Sequence, residues 1–170
     1  YPNERVVTDL EPGTYSFAVR GPATERPARL EIESPTHTFE FATPSGSITT
    51  PASTLGVLAV GAYNPPNSEP ALYSSQGPTA DGRVGVDVIA SGSFQSVEYV
   101  GFTGTSSAAA YVGGIVTLLL DANPDLGPIR TEEMLEYTVD RGTIPHLDRR
   151  SGYGPIDPEA ALDRIERRSG

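Results

Sequence analysis

The chain has 170 residues, of which 37% are hydrophobic and 20% are charged, so it can form one modest core and is too apolar to be disordered. The absence of cysteine excludes disulfides and thiolate metal sites, and a net charge of −10 disfavours nucleic acid and anionic membranes as partners. All basic residues are arginine. An acidic, lysine-free surface is typical of proteins from high salt, but a GC-rich genome would also favour arginine, and both explanations stay open.

The first 44 residues alternate apolar with polar side chains, as antiparallel strands with one solvated face do. The pattern predicts strands over residues 14–20, 28–33 and 38–41, with Glu11-Pro12-Gly13 forming a turn before the first. The chain begins at Tyr1 and shows no signal-like segment, so we expect it to be part of a longer precursor.

From about residue 45 the hydrophobic pattern changes. Residues 56–62 and 85–90 are continuous apolar runs between turn residues, which predicts strands buried on both faces of a parallel sheet. A loop rich in proline, asparagine and glycine connects them over residues 64–82. Residues 94–102 predict further extended structure.

Three helices are predicted after the strands. The first begins near Ser106, ends at Asn123-Pro124 and is apolar nearly all round, which indicates a central helix. The second spans roughly residues 131–140 with Thr131 as its N-cap. The third opens at Asp157-Pro158, a capping residue followed by a proline in the first turn, and turns Ala161, Leu162 and Ile165 inward.

A serine among small residues opens the first helix, within the segment 103–114. Ser106 is either an N-cap or a reactive residue, because serine is a poor choice inside a buried helix. Glycine and alanine on both sides would let other groups approach its hydroxyl closely.

This segment resembles the nucleophile segment of the subtilisin-like serine peptidases, the subtilases, in which Gly-Thr-Ser is followed by Ala-Ala. Further blocks resemble the family in its own order, and they are Ser47–Ala62, Tyr73–Arg83, Asp87–Gly92 and Gly152–Leu162. Val86 and Ser91 stand where the family has prolines, Ala110 and Tyr111 replace its Pro-His, and Ser107 stands where many members have methionine.

The resemblance implies an α/β fold for residues 45–170: the C-terminal part of a subtilase catalytic domain, a partial three-layer α/β/α structure with a mostly parallel sheet. It implies that residues 1–44, the antiparallel strands, are the second half of an inserted β-sandwich. It implies that Ser106 is the nucleophile, that its backbone N–H helps to bind the oxyanion, and that Thr105 shapes the cleft.

The family's Asp, His and Asn motifs do not occur in this sequence. His37 and His146 lack the Gly-Thr-His context, and we expect both to be surface residues. The resemblance therefore implies a serine endopeptidase that acts on polypeptides only when the missing N-terminal part supplies the base and its orienting acid. The isolated chain should be inactive, and its open sheet edge should favour dimerisation or strand swapping.

The resemblance also implies secretion, and the reaction needs no cofactor. The oxygen-rich loop Pro51–Gly56 leaves open a weakly held cation, as in some subtilases. Two other functions remain as alternatives: a non-catalytic pseudopeptidase or binding module that keeps the fold, and a serine hydrolase of a non-peptide acyl substrate.

Overall fold

The fold is seen in a computed structural model that describes residues 6–21, 32–34, 39–94, 101–140 and 147–169. The chain divides into two units, Tyr1–Phe39 and Glu40–Gly170, and the strands and helices of the described residues lie in the second. In chain order they are β1 (Val60–Asn64), β2 (Glu69–Pro70), β3 (Val88–Ser91), β4 (Ser93–Phe94), β5 (Phe102–Thr103), α1 (Thr105–Ala122), α2 (Pro128–Tyr137) and α3 (Pro158–Ser169).

The two predicted apolar strands pair in parallel at the centre of this unit. In the register of β1 and β3, Val60 lies opposite Val88 and Tyr63 opposite Ser91. β3 is buried from Val88 to Ala90, as a strand covered on both faces should be. The short strand β2 lies inside the region predicted as a loop, and it pairs antiparallel with the C-terminal end of β1. The mixed α/β class with a parallel core is thus confirmed.

The segment before α3 continues the sheet on the other side of β3. The Ile89 N–H donates to the Gly154 carbonyl and the Ile156 N–H donates to the Ile89 carbonyl, both at 3.0 Å. Gly152 is required at the start of this segment, because its φ is +60° and a Cβ there would stand 2.1 Å from the Asp87 carbonyl oxygen. The segment therefore approaches β3 closely enough to bring α3 onto the core.

Helix α1 is the central helix of the described fold, and it contacts β1, β3 and α3. It buries one face, formed by Ser107, Ala108, Val112, Ile115 and Leu119. The other face is open, with Leu118 52% and Leu120 38% exposed. Its length and hydropathy would also suit a membrane span, a test that the core helix of a soluble protein passes as well.

The predicted start of α2 is wrong by three residues. The helix begins at Pro128, whose fixed φ suits the first turn, after Gly127 as N-cap. Thr131 lies inside the helix, and its hydroxyl donates to the Gly127 carbonyl at 3.1 Å instead of capping. The start of α3 is confirmed, because the Asp157 carboxylate accepts the Ala160 N–H at 2.9 Å.

The strand predicted over residues 14–20 is not formed. Tyr15, Phe17 and Val19 are all more than half exposed, although the Phe17 ring contacts that of Phe39 with centroids 5.8 Å apart. Alternation makes a strand only where a neighbouring strand pairs with it, and residues 6–21 have no such partner among the described residues. The predictions over 28–33 and 38–41 lie partly outside the described residues, and residues 32–33 and 39–41 are not strand.

Substituting Gly152 tests the close approach to β3. We expect Gly152→Ala to lower the free energy of unfolding by at least ~2 kcal/mol, since the added Cβ meets backbone atoms and the φ is strained for alanine. Gly113→Ala, with nothing within 4 Å of the added atom, should instead stabilise α1 by up to about 1 kcal/mol. Thermal unfolding of both variants measures this, and equal midpoints would contradict the packing described.

Candidate active site

Ser106 is the second residue of α1, directly after a tight turn. Gly104 is the N-cap of the helix and has φ +116° and ψ 178°, a conformation that favours glycine. Its N–H donates to the Gly92 carbonyl at 2.8 Å. The turn that presents Ser106 is therefore fixed by a hydrogen bond to the residue that follows β3.

Gly92 in turn ties this position to the end of β1. Its N–H donates to the Tyr63 carbonyl at 2.9 Å. A Cβ at Gly92 would lie 2.3 Å from the hydroxyl of the exposed Tyr73, which can move aside, and 3.1 Å from the Cβ of Ala62, so the chain passes here with little room for a side chain. Ser106 thus lies beyond the carboxyl ends of two parallel strands, where α/β proteins commonly place their sites.

The environment of Ser106 suits a nucleophile. Ser106 is exposed, and its hydroxyl makes no hydrogen bond to the described part of the chain. The backbone N–H groups of Thr105 and Ser106 also donate to no described acceptor, as expected for the first residues of a helix. These N–H groups, at the positive end of the helix dipole, can bind an oxyanion. Thr105 is half-buried beside them.

The described residues bring no catalytic base to Ser106. His37 and His146 lie outside them, so the prediction that both are surface residues stays a prediction. α1 thus presents an exposed serine hydroxyl and nearby backbone N–H groups, and a reaction at this hydroxyl would need a proton acceptor from outside the described residues.

Ser107, next to Ser106, has a different environment. Its side chain is completely buried, and its hydroxyl has no hydrogen-bond partner among the described residues. Sequence reasoning noted only that serine replaces methionine here. The burial of this hydroxyl follows from the packing of α1 on the sheet and has no signal in the local sequence.

The loop between the two parallel strands is held by side-chain hydrogen bonds. The Asp81 carboxylate accepts from the Thr79 hydroxyl and from Arg83 Nε, the latter at 2.9 Å. These two bonds, with the first the larger cause, lower the pKa of Asp81. Asp81 and Gly82 form a turn, because the Gly82 N–H donates a hydrogen bond to the Thr79 carbonyl at 2.9 Å.

The loop Pro51–Gly56, considered as a cation site, has some of its oxygens engaged. The Ser53 carbonyl accepts from the Arg83 guanidinium, and the Pro51 carbonyl accepts the Thr54 N–H at 2.9 Å. A guanidinium on a carbonyl opposes a second cation at the same oxygen.

A cluster of three carboxylates lies where the residue before β3 faces α2. The sequence analysis did not predict it. Carboxylate oxygens of Asp87, Glu132 and Glu136 lie within 4.8 Å of one another. Glu132 and Glu136 are four residues apart on one helix face, which is readable from the sequence, but their approach to Asp87 is tertiary. Asp87 has a structural role, since its Oδ2 accepts the Ala59 N–H at 2.6 Å.

Burial and neighbouring charges make two of these carboxyls, Asp87 and Glu136, harder to ionise. Burial, and after it the negative charges of Asp87, Glu132 and Glu133, raise the pKa of Glu136 from its ordinary value of 4.5 to about 7. Burial also raises the pKa of Asp87, in opposition to the hydrogen bond from Ala59. A proton held on Glu136 relieves the repulsion between α2 and β3.

Comparison with known proteins gives consistent matches. Residues 40–154 match the sequence profile of the subtilase family, peptidase S8. Over 122 residues the chain is 30% identical to serine protease AprX of Bacillus subtilis (strain 168), which covers 57% of this chain and 28% of AprX.

Solved structures are similar over the same region. MycP1 from Mycobacterium smegmatis has a TM-score of 0.54 and 29% identity, covering 66% of this chain and 31% of that protein. The CspB protease of Clostridium perfringens has a TM-score of 0.63 and 25% identity, covering 73% and 29%. The chain therefore spans less than a third of the length of each of these three relatives.

The raised pKa of Glu136 predicts a dependence of stability on pH. The folded chain keeps this proton up to about pH 7 and the unfolded chain only to about 4.5, so the free energy of unfolding falls as the pH rises through that window. Glu136→Gln removes this titration, and its melting temperature should fall less than that of the parent between about pH 5 and 7.5. The exposed Glu159→Gln is the control, and parallel melting curves for all three proteins would contradict the assignment.

Proposed function

The chain belongs to the subtilase family, and on this premise we propose that it carries the nucleophile of a serine endopeptidase, Ser106. The observation that carries the proposal is the geometry of the first turn of α1. An exposed serine hydroxyl and two backbone N–H groups without an acceptor among the described residues lie together beyond the ends of β1 and β3. The matched relatives named as serine proteases support the same reaction.

In the proposed reaction, the Ser106 hydroxyl oxygen attacks the carbonyl carbon of a peptide bond. Its proton passes to a base, and the oxyanion that forms accepts hydrogen bonds from the N–H of Ser106 and neighbouring donors. The C–N bond then breaks, the amine takes the proton and leaves, and an acyl ester remains on Ser106. Water hydrolyses the ester by the same steps. No cofactor is needed for any of these steps.

The base and its orienting acid are proposed to come from an N-terminal part of the same protein. Two observations support this division. No described residue serves Ser106 as a base, and the chain spans less than a third of AprX, MycP1 or CspB.

The open face of α1 is the proposed contact surface for that part. Gly113 and Gly114 have nothing within 4 Å of the position of a Cβ, so another element can approach the helix backbone closely. An apolar cleft of about 350 Å³ lies beside Val116 and Leu120. Covering this surface removes apolar area from water and holds the incoming segment along the helix that carries Ser106, beginning about 10 Å from it at Gly113.

The substrate is proposed to be a polypeptide and the location extracellular, by family resemblance. The net charge of −10 supports the absence of nucleic acid or an anionic membrane as a partner.

The first experiment tests the nucleophile in the full-length gene product. Ser106→Ala should lower kcat on casein or a peptide substrate by about 10⁶-fold, the magnitude known for loss of the triad serine in subtilisin. Thr138→Val, which removes a hydroxyl bonded within α2, should leave kcat unchanged. A wild-type protein that hydrolyses ester but not peptide substrates would favour the acyl hydrolase, and one with neither activity would favour the non-catalytic binding module.

The second experiment tests the division of the site. The 170-residue chain alone should show no measurable peptidase activity and no rapid labelling of Ser106 by a fluorophosphonate, because a serine without a base is a weak nucleophile. Adding the separately expressed N-terminal part should restore labelling. Stoichiometric labelling of the isolated chain would contradict the proposal. A dimer in size-exclusion chromatography that dissociates when the N-terminal part is added would support a shared contact surface.

A further inference from the structure

The short hairpin of β4 and β5 is the route by which the chain passes from the sheet to Ser106. In its register, Ser93 lies opposite Thr103 and Phe94 lies opposite Phe102. Each strand has two residues, and one residue separates β5 from the start of α1. A hairpin this short is marginally stable unless it packs against another element. The position of Ser106 therefore depends on what holds the hairpin to the rest of the fold.

An aromatic contact holds the hairpin to α1. The Phe94 ring lies against the ring of Tyr111, with centroids 5.0 Å apart and planes inclined by 37°. Both side chains are half-buried, and Tyr111 also packs against the main core. A ring pair at this separation stabilises a fold beyond the effect of the apolar area that it buries. The contact therefore ties β4 to the core through α1.

This contact and the turn at Gly104 attach the hairpin to α1 on the two sides of Ser106. Tyr111 follows Ser106 by five residues, which is about 7.5 Å along the helix axis. The hydrogen bond from Gly104 to Gly92 lies on the other side, before the helix begins. Tyr111 stands where the subtilase pattern has histidine, so the resemblance does not account for the ring found there.

We propose that Tyr111 is a positioning residue that holds the β4–β5 hairpin through Phe94 and so fixes the turn that presents Ser106. This inference rests on the proposed function. Without the contact, the hairpin and Gly104 can shift. The Ser106 hydroxyl then moves relative to its base and to the backbone N–H groups that bind the oxyanion. Tyr111 touches no substrate in this role.

The first experiment measures kcat and KM of Tyr111→Leu and Tyr111→Phe in the full-length gene product. A nucleophile displaced by a fraction of an ångström weakens the transition state more than substrate binding, so Tyr111→Leu should lower kcat roughly tenfold at nearly unchanged KM. Tyr111→Phe keeps the ring and should keep kcat. The control is Tyr137→Leu, which removes a ring that contacts Arg164 of α3 and should change neither constant. Titrating active sites with a fluorophosphonate gives kcat per competent molecule.

A double-mutant cycle with Phe94→Leu tests whether the ring contact is the cause. If both residues act through this contact, the double variant should lose no more kcat than either single variant. Three results would overturn the inference: fully additive losses, wild-type kcat in Tyr111→Leu, or an equal loss of kcat in Tyr111→Phe.

Amide hydrogen exchange separates this inference from failure of the proposed function. In Tyr111→Leu, the Gly104 N–H that donates to Gly92 should exchange roughly tenfold faster, because the hairpin opens more often. The Ile156 N–H, which donates to Ile89 of β3, should exchange at the wild-type rate. If this holds in a protein that is neither active nor labelled, only the proposed function fails. Unchanged exchange at Gly104, or an equal increase at both amides, would instead contradict the role of Tyr111.

Discussion

Two backbone hydrogen bonds at Gly92 connect the sheet to the helix that carries Ser106. Gly92 donates to the end of β1 at Tyr63 and accepts from Gly104, the N-cap of α1. The parallel register of β1 and β3 places Ser91 opposite Tyr63, so Gly92 follows at the strand ends and the turn at Gly104 is fixed there. This link sets where α1 begins and in which direction it runs. The exposure of Ser106 follows from that placement, and so do the nearby backbone N–H groups that have no acceptor among the described residues.

Negative charge is concentrated elsewhere in the fold. Asp87, Glu132 and Glu136 bring three carboxylates together where α2 meets β3, on a chain that already carries a net charge of −10. Salt screens repulsion between exposed charges, but it acts much less on partly buried ones. High salt therefore weakens the repulsion between exposed charges on the surface. A proton on Glu136 instead lowers the repulsion between the partly buried carboxylates where α2 meets the sheet.

Local signals were sufficient for part of the fold and of the site. Helix α1 was predicted well because Ser106 opens its apolar run and Asn123-Pro124 ends it. The strands were predicted well because continuous apolar runs need burial on both faces. The start of α2 was missed because Pro128 sets it and Thr131 only resembles a cap. The strand predicted over residues 14–20 is not formed, because alternating apolar and polar side chains do not by themselves provide a neighbouring strand to pair with. The buried hydroxyl of Ser107 and the approach of Asp87 to α2 depend on tertiary packing, which no local pattern contains.

The crowding at Gly92 affects how a protein of this kind diverges. A methyl group there would push the exposed Tyr73 side chain aside and press on the Cβ of Ala62 and on the Tyr63 carbonyl, which accepts the Gly92 N–H. A larger side chain at this position would press harder on the same two groups and strain the link to α1. The placement of Ser106 can therefore change through a residue that has no reactive atom, while the serine motif itself stays the same.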